Sequence, residues 1–289
     1  MSRRLFLTQA GTWLLPAACP ALPAAAEQPL ARIGLATDIH FADKPAAGAR
    51  EYRASLSKLG EAVEIWNREK VDAAIELGDF VDSSPTAAQE TADLRRILEV
   101  LGGLRAPRYF ALGNHCVFTL TKKQFLEAWG AGQSWYSFSL NGYRGIVLDS
   151  AFSSDGRPYG GREFDWQDAL LPPAQVEWLE AELRRSTLPS LVFLHHRLDS
   201  GDHYSVRNAA AVRKVLEASG RVAAVLQGHN HLNDYRRIGG IHYCTLKAMV
   251  DGPPPESSAY GTLELYAGSR MFLKGFRLLG SREMKAGPD

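Results

Sequence analysis

Five short patches of this chain gather residues that could hold hard cations: Asp38-Ile39-His40, Gly78-Asp79, Gly113-Asn114-His115, His195-His196 and Gly228-His229-Asn230-His231. They offer three oxygen donors, Asp38, Asp79 and Asn114, and four imidazoles, His40, His195, His229 and His231, besides His115 and His196. A mixed oxygen and nitrogen set with no thiolate role suits Mn, Fe, Zn or Co. Two such ions about 3.5–4 Å apart need one group that touches both, and the pair polarises phosphoryl oxygens and lowers the pKa of a shared water. Glycine ahead of a ligand lets the backbone turn sharply without a side chain filling the pocket. The set therefore predicts cleavage of a phosphate ester at a two-metal centre.

The elements that must position these groups can be read from apolar spacing. Ile33–Ala36, Ala73–Leu77 and Tyr109–Leu112 read as short strands that end on the first three patches. Helical spacing over 50–69 and 86–101 separates them. Trp135–Leu140 and Ile146–Asp149 around Asn141-Gly142 predict a hairpin. Residues 151–171 are a Gly- and Pro-marked loop, and 173–185 and 206–218 are helical. Leu191–Leu194 delivers His195, and Val222–Leu226 delivers Gly228-His229. Short β segments follow over 234–238, 241–246, 260–266 and 270–276. Ligands just past the carboxyl ends of strands joined by helices are where open α/β sheets place their sites. Trp66 and Trp178 fall on apolar helical faces and are expected in the core.

With 45% hydrophobic and 22% charged residues the composition is that of a globular protein, and the formal charge of +1 argues against a nucleic-acid binder. No repeat or long linker interrupts it, so a single domain over 30–280 is expected. Ser2-Arg3-Arg4-Leu5-Phe6-Leu7 looks like a twin-arginine export signal, with an apolar stretch behind it and cleavage after Ala26. That predicts a signal peptide over 1–26 and a periplasmic or secreted protein, a merely basic cytosolic start being the bland alternative. Ala17-Ala18-Cys19 offers a lipoprotein anchor as a minor alternative, opposed by Pro16 where a lipobox wants Leu. Nothing beyond the signal is apolar for long enough to span a bilayer. Removing 1–26 leaves 31 basic against 32 acidic residues. Cys116 and Cys244 remain; a disulfide between them is one option, and a free Cys116 thiol lining the site is the expectation.

The order D-x-H, G-D, G-N-H, H, G-H-x-H over almost the whole mature chain resembles the calcineurin-like metallophosphoesterases. The resemblance implies a four-layer α/β/β/α sandwich of two mixed sheets flanked by helices. It implies one metal on Asp38, His40 and His231, a second on Asn114, His195 and His229, and Asp79 bridging them. It implies attack on phosphorus by a metal-bridging hydroxide, with His115 protonating or stabilising the departing oxygen. His195 is the ligand of the double histidine because it directly ends its strand; His196 stands behind it or faces substrate.

Tyr52-Arg53 with Ser55, Gly160-Gly161, the Gln175, Trp178, Leu179 spacing, Asn208 and the segment from Gly228 through Ala259-Tyr260-Gly261 are similar to the manganese-dependent ADP-ribose/CDP-alcohol diphosphatases. This implies manganese as the favoured ion and a small, nucleotide-like phosphodiester or phosphoanhydride as substrate. A broad phosphomonoesterase on the same centre is the alternative. Tyr52 and Arg53, with Asp43 and Lys44, either contact substrate or form a solvated loop and helix start. Asn208 either caps a helix or meets substrate, and Arg197 stands where a phosphate contact could form. His203 and His242 lack motif context and are expected at the surface or behind the site.

One departure stands out. The family carries Asp or Glu after the motif histidine, where a carboxylate orients the imidazole; this chain has Cys116. Either another residue supplies the carboxylate, or His115 is a weaker acid–base group. The latter suits good leaving groups, or even a catalytically weak protein that binds a phosphorylated ligand.

Overall fold

The computed structural model describes residues 27–285; the expected twin-arginine signal, the cleavage expected after Ala26 and the lipoprotein alternative at Cys19 lie outside the described residues. In chain order the elements are β1 (Ala31–Ala36), α1 (Ser55–Glu69), β2 (Ala73–Glu76), α2 (Ala87–Leu101), β3 (Arg108–Phe110), α3 (Lys122–Trp129), β4 (Tyr136–Leu140) and β5 (Tyr143–Val147). There follow α4 (Pro173–Arg185), β6 (Ser190–Phe193), α5 (Ala209–Ser219), β7 (Val222–Gln227), β8 (Asp234–Ile238), β9 (Ile241–Thr245), β10 (Ala259–Leu265), β11 (Met271–Arg277) and β12 (Arg282–Met284).

The strands make two mixed sheets. The first runs β12-β11-β10-β1-β2-β3, with β1, β2 and β3 parallel; the second runs β4-β5-β6-β7-β9-β8, with β5, β6, β7 and β9 parallel. Successive side chains of a strand point to opposite faces, and the central strands are apolar on both. Ile33 and Leu35 of β1, Leu191 and Phe193 of β6, and Ala224 and Leu226 of β7 meet between the sheets. Val192, Leu194 and Val225 face outward onto a second cluster, which holds Leu179 and Leu183 of α4 and Val212 and Leu216 of α5. Leu59, Val63 and Trp66 of α1 and Leu94 and Ile97 of α2 cover the first sheet in the same way. Burial on both faces is why these strands read as continuous apolar runs rather than alternating ones. The result is the four-layer α/β/β/α sandwich.

Several local readings are corrected. The hairpin closes tightly, pairing Leu140 with Tyr143 across Asn141-Gly142, so β5 starts at Tyr143 rather than Ile146. Helix α3 and strand β12 were not anticipated: each is short, and the helix is fixed by its Thr121/Gln124 capping box rather than by a long apolar stripe. Asn208 stands at the N-cap position of α5, but its side chain makes no cap bond; the carboxamide accepts from Leu171 N (3.2 Å) and donates to Leu171 O (2.8 Å). Cys116 and Cys244 lie in different core clusters and are free thiols. His242 is buried in β9, 2.8 Å from Tyr235 Oη, rather than at the surface.

Trp66 locks α1 to the first sheet. Its Nε1 donates to Gly261 O (2.9 Å), and its ring lies so close over Gly34 that a Cβ there would stand 2.6 Å from it. Trp66→Ala should therefore lower the urea midpoint by an amount equal to about 3–5 kcal/mol. A loss below about 1 kcal/mol would mean that the helix is held elsewhere.

Candidate metal centre

The parallel strands of both sheets end at one edge, and their loops are stitched together by backbone bonds. Asp38 N donates to Gly78 O (2.9 Å), His40 N to Asp79 O (2.8 Å) and Gly228 N to His195 O (3.1 Å). Asp38, His40, Asp79, His229 and His231 all have left-handed φ, of 53°, 45°, 63°, 77° and 61°. Such backbone costs roughly 1–2 kcal/mol per non-glycine residue and clusters at functional sites. Here it turns the chain at each strand end so that the side chains converge.

Each carboxylate divides its oxygens between structure and site. Asp38 Oδ2 accepts from Thr37 Oγ1 (2.7 Å) and His229 N (3.0 Å), which leaves Oδ1 3.5 Å from His40 Nε2 and 3.4 Å from His231 Nε2. Asp79 Oδ1 accepts from His115 N (2.7 Å), and Oδ2 faces His195 Nε2 at 3.1 Å and His40 Nε2 at 3.6 Å. Motif glycines make room for this: a Cβ on Gly113 would stand 2.1 Å from Asp79 Oδ1, and one on Gly228 2.7 Å from Asp38 Oδ2. Close approach to a carboxylate, as much as the sharp turn, is what those positions demand.

The imidazoles are aimed from behind. His195 Nδ1 donates to Leu77 O (2.9 Å), since a carbonyl can only accept, and so Nε2 is the nitrogen turned to the site. His231 Nδ1 meets Asp251 Oδ1 at 3.1 Å, and His40 Nδ1 stands 3.2 Å from Asp82 Oδ2. Carboxylates behind histidines fix tautomer and basicity at metal sites. Asp82 also lies 3.7 Å from His115 Nδ1 and takes Lys44 Nζ (2.7 Å) and Arg50 Nη1 (3.0 Å). With those two cations already on it, the Asp82, His40, His115 cluster is an orienting hub rather than an ion cradle.

Two three-residue cradles remain, Asp38/His40/His231 and Asp79/His195/His229. Their facing atoms are 3.1–3.6 Å apart, counting the 3.2 Å between His231 Nε2 and His40 Nε2 and the 3.1 Å between His229 Nδ1 and His195 Nε2. Ligand atoms about 2.1 Å from a shared ion stand roughly 3.0–3.4 Å from each other. Asp38 Oδ1, Asn114 Oδ1 and His229 Nε2 are buried with no hydrogen-bond partner among the described residues. Burial pushes the Asp79 carboxyl up, yet His195, His115 and His40 hold it far below the usual range; Asp38 behaves alike, with His231 foremost. Burial together with His196 and His195 keeps His229 neutral, which a ligating imidazole requires. Carboxylates that stay ionised in a dry site, beside a neutral His229 and beside His195 and His231, which Asp79 and Asp38 push upward against burial (His231 to about 9), fit two divalent cations that take the place of the protons those rings carry, with Asp79 between them.

Above the cradles opens a cavity of about 410 Å³. Asp79, Asn114, His115, His229 and His231 line it, together with Arg50, Asn230, Trp166 and Tyr204. The Trp166 and Tyr204 rings stand 5.3 and 5.5 Å from the His229 ring. Burial lowers His115 to about 4, with Asp79 offsetting part of the shift, so its ring is neutral at pH 7. His196 lies directly behind His229, ring centres 4.4 Å apart, with Nδ1 2.8 Å from Ser150 Oγ.

Other residues singled out in the sequence are not on this cavity. Tyr52 is buried with Ala42, Ala248 and Val250, Arg53 pairs with Asp43 at the surface (2.6 Å), and Asn208 serves the Leu171 backbone. Arg197 is buried in a two-point pair with Asp199 (2.9 and 2.8 Å) and a contact to Asp234 (2.5 Å), and it does not line this cavity. Cys116 is fully buried among core side chains instead of lining the site, and burial pushes its thiol well above its usual pKa. Arg50, Asp82, Trp166, Tyr204 and Asp251 were missed. Only Asp82 carried a local signal, three residues beyond Asp79 on the same turn.

Comparisons with known proteins agree with this geometry. The model of the calcineurin-like phosphoesterase family matches residues 31–233. A manganese-dependent ADP-ribose/CDP-alcohol diphosphatase of Oryza sativa subsp. japonica is 24% identical, over 90% of this chain and 96% of that protein. The one of Xenopus tropicalis is 26% identical, over 89% and 95%. Among solved structures, a dimetal phosphatase from Danio rerio superposes with a TM-score of 0.79 at 22% identity, covering 90% of this chain and all of that one.

Because Asp79 faces both cradles, Asp79→Asn should reduce manganese uptake at both in equilibrium dialysis of metal-free protein. Gly113→Ala, which drives a methyl into the same carboxylate, should weaken uptake by about tenfold or more. Wild-type stoichiometry and affinity in both variants would remove Asp79 from the centre.

Proposed function

The chain belongs to the calcineurin-like phosphoesterase family and is a metal-dependent hydrolase of phosphoric esters or anhydrides that uses two divalent cations, and we propose that its substrates are small nucleotide-type diesters and phosphoanhydrides. The relatives named as ADP-ribose/CDP-alcohol diphosphatases support that class and manganese as the ion. The observation that carries the reading is the unlike pair of walls around the cradles. Arg50 stands on the His40 side, tied to Asp82, and can take the charge of a second phosphate. Trp166 and Tyr204 stand on the His229 side and offer flat faces to a base or another ring.

Two cations held by Asp38, His40 and His231 and by Asn114, His195 and His229, with Asp79 shared, would supply a nucleophilic water and polarised phosphoryl oxygens. The chain's own groups do the rest. Asp79 and Asp38 supply the negative charge that keeps the cradles paired, and the rings behind them keep their lone pairs aimed inward. His115, on the cavity wall and neutral, has a single ring N–H, which it gives to the departing oxygen rather than surrendering a full proton; Asp82, 3.7 Å from Nδ1, acts on the ring through charge and not through a hydrogen bond. A nucleotide phosphate leaves with little protonation, so this assistance is sufficient for a phosphoanhydride and poor for an alkyl ester. Asp82, 3.7 Å from His115 Nδ1, brings a carboxylate's charge to the imidazole where position 116 supplies none, which weakens the case for a mere phospholigand binder. With residues 1–26 taken as a twin-arginine signal, the reaction is assigned to the periplasm or the exterior.

Manganese-loaded protein should hydrolyse ADP-ribose, CDP-choline and a bis-aryl phosphate diester faster than an aryl monoester. Activity on the monoester alone would overturn the diester and anhydride reading. In the same assay Asp82→Ala should cost about 10–100-fold in kcat, whereas Cys116→Ala should leave turnover near wild type. The reverse ranking would return the orienting role to position 116.

A further inference from the structure

Lys58 lies in α1, 1% exposed, and reaches a loop almost two hundred residues away. Its Nζ lies within hydrogen-bond distance of four consecutive backbone carbonyls, those of Met249 (2.9 Å), Val250 (3.1 Å), Asp251 (3.1 Å) and Gly252 (2.6 Å). An ammonium has three N–H groups, so the fourth oxygen is held by charge alone. Carbonyls turned onto one point repel one another unless a cation sits there, which is how backbone oxygens solvate a bare monovalent ion. Burial lowers Lys58 to about 8, so the group is still an ammonium at neutral pH.

The outer side of that loop faces the first cradle. Met249 N donates to Thr37 O (3.0 Å) and Val250 N to Asp38 O (3.1 Å), which fixes the end of β1 where Asp38 turns out. Asp251 holds His231 Nδ1 at 3.1 Å and is itself held by Lys247 at 2.6 Å. Glu51 N donates to Val250 O (3.0 Å) and Gly252 N to Ala49 O (2.7 Å), on either side of Arg50. One wrapped loop thus sets two ligands of the first cradle and the cation on the cavity wall, and makes none of these contacts to His195 or His229.

We propose that Lys58 is a built-in monovalent cation, a positioning residue whose ammonium holds residues 249–252 in the shape that aims Asp38 and His231. The inference rests on the reading of Asp38, His40 and His231 as an ion cradle. Metal-free wild type and Lys58→Ala are titrated with manganese by calorimetry, and the variant is titrated again with propylammonium chloride or an equal concentration of sodium chloride. Wild type should take up two ions. Lys58→Ala should keep one site and weaken the other by about tenfold or more, and propylammonium, which replaces the deleted stem and charge, should restore it where sodium does not. Two wild-type sites in the variant, equal loss at both, or no response to propylammonium would overturn the proposal. Wild type that binds no manganese would instead sink the cradle reading itself. If Lys58→Ala does not fold even with propylammonium, Lys58→Gln, whose amide keeps donors near the carbonyls, takes its place. Selective weakening of one site in that folded variant supports the proposal, and two unaltered sites, equal loss at both, or an unfolded chain overturn it.

Discussion

Asp79 puts a single carboxylate where the ends of two sheets meet, with Oδ1 fixed by the His115 amide and Oδ2 shared between His195 at 3.1 Å and His40 at 3.6 Å. His195 comes from the second sheet, Asp79 and His40 from the first. Burying an ionised carboxylate costs several kcal/mol unless positive charge or donors surround it. Asp79 and Asp38 are both fully enclosed, yet both are held ionised by the imidazoles around them. The edge is thus a place where the two sheets must converge on positive charge, and every loop nearby is shaped to that requirement.

The shaping is local and energetic. Asp38, His40, Asp79, His229 and His231 hold left-handed backbone that most side chains avoid. What keeps them there is the double-sided core behind them. The strands that carry them are buried on both faces, so their ends cannot drift to relax the turns. Cross-strand bonds such as Asp38 N to Gly78 O and Gly228 N to His195 O then fix one ligand loop against the next. A soft scaffold would let the φ angles return to ordinary values and the side chains diverge.

This division explains what the sequence disclosed. Asp38, Asp79, His195 and His229 follow apolar runs directly, so strand, turn and ligand lie within a few residues and are readable together. The double-layered architecture follows from the same runs, whose lack of alternation reports burial on two faces. Arg50, Trp166, Tyr204 and Asp251 were invisible because each comes from a loop whose course depends on tertiary contacts made elsewhere, and Asp82 alone had a local signal in its nearness to Asp79. Arg53, Arg197 and Asn208 misled for the complementary reason. Their polar groups bond neighbours such as Asp43, Asp199, Asp234 and the Leu171 backbone, and Tyr52 is buried with Ala42, Ala248 and Val250, which no spacing rule reveals. Lys58 looked like one more polar residue of an amphipathic helix, because its four acceptors lie at the far end of the chain.

The cysteine after the motif histidine is a consequence of this geometry rather than a defect. His115, Cys116 and Val117 form a single 3₁₀ turn, and Cys116 is the member that points into the apolar core with Val117 and Leu120. A carboxylate there would need partners that this interior does not offer. Asp82 reaches the same imidazole from the turn after Asp79, and its charge is offset by Lys44 and Arg50. Moving the carboxylate has a functional consequence. Arg50, on the wall assigned to a second phosphate, and His115, beside the departing oxygen, now lean on one group. In the proposed reaction, recognition of the substrate's charge and assistance to its leaving group therefore share a single support, and a change at Asp82 must disturb both together.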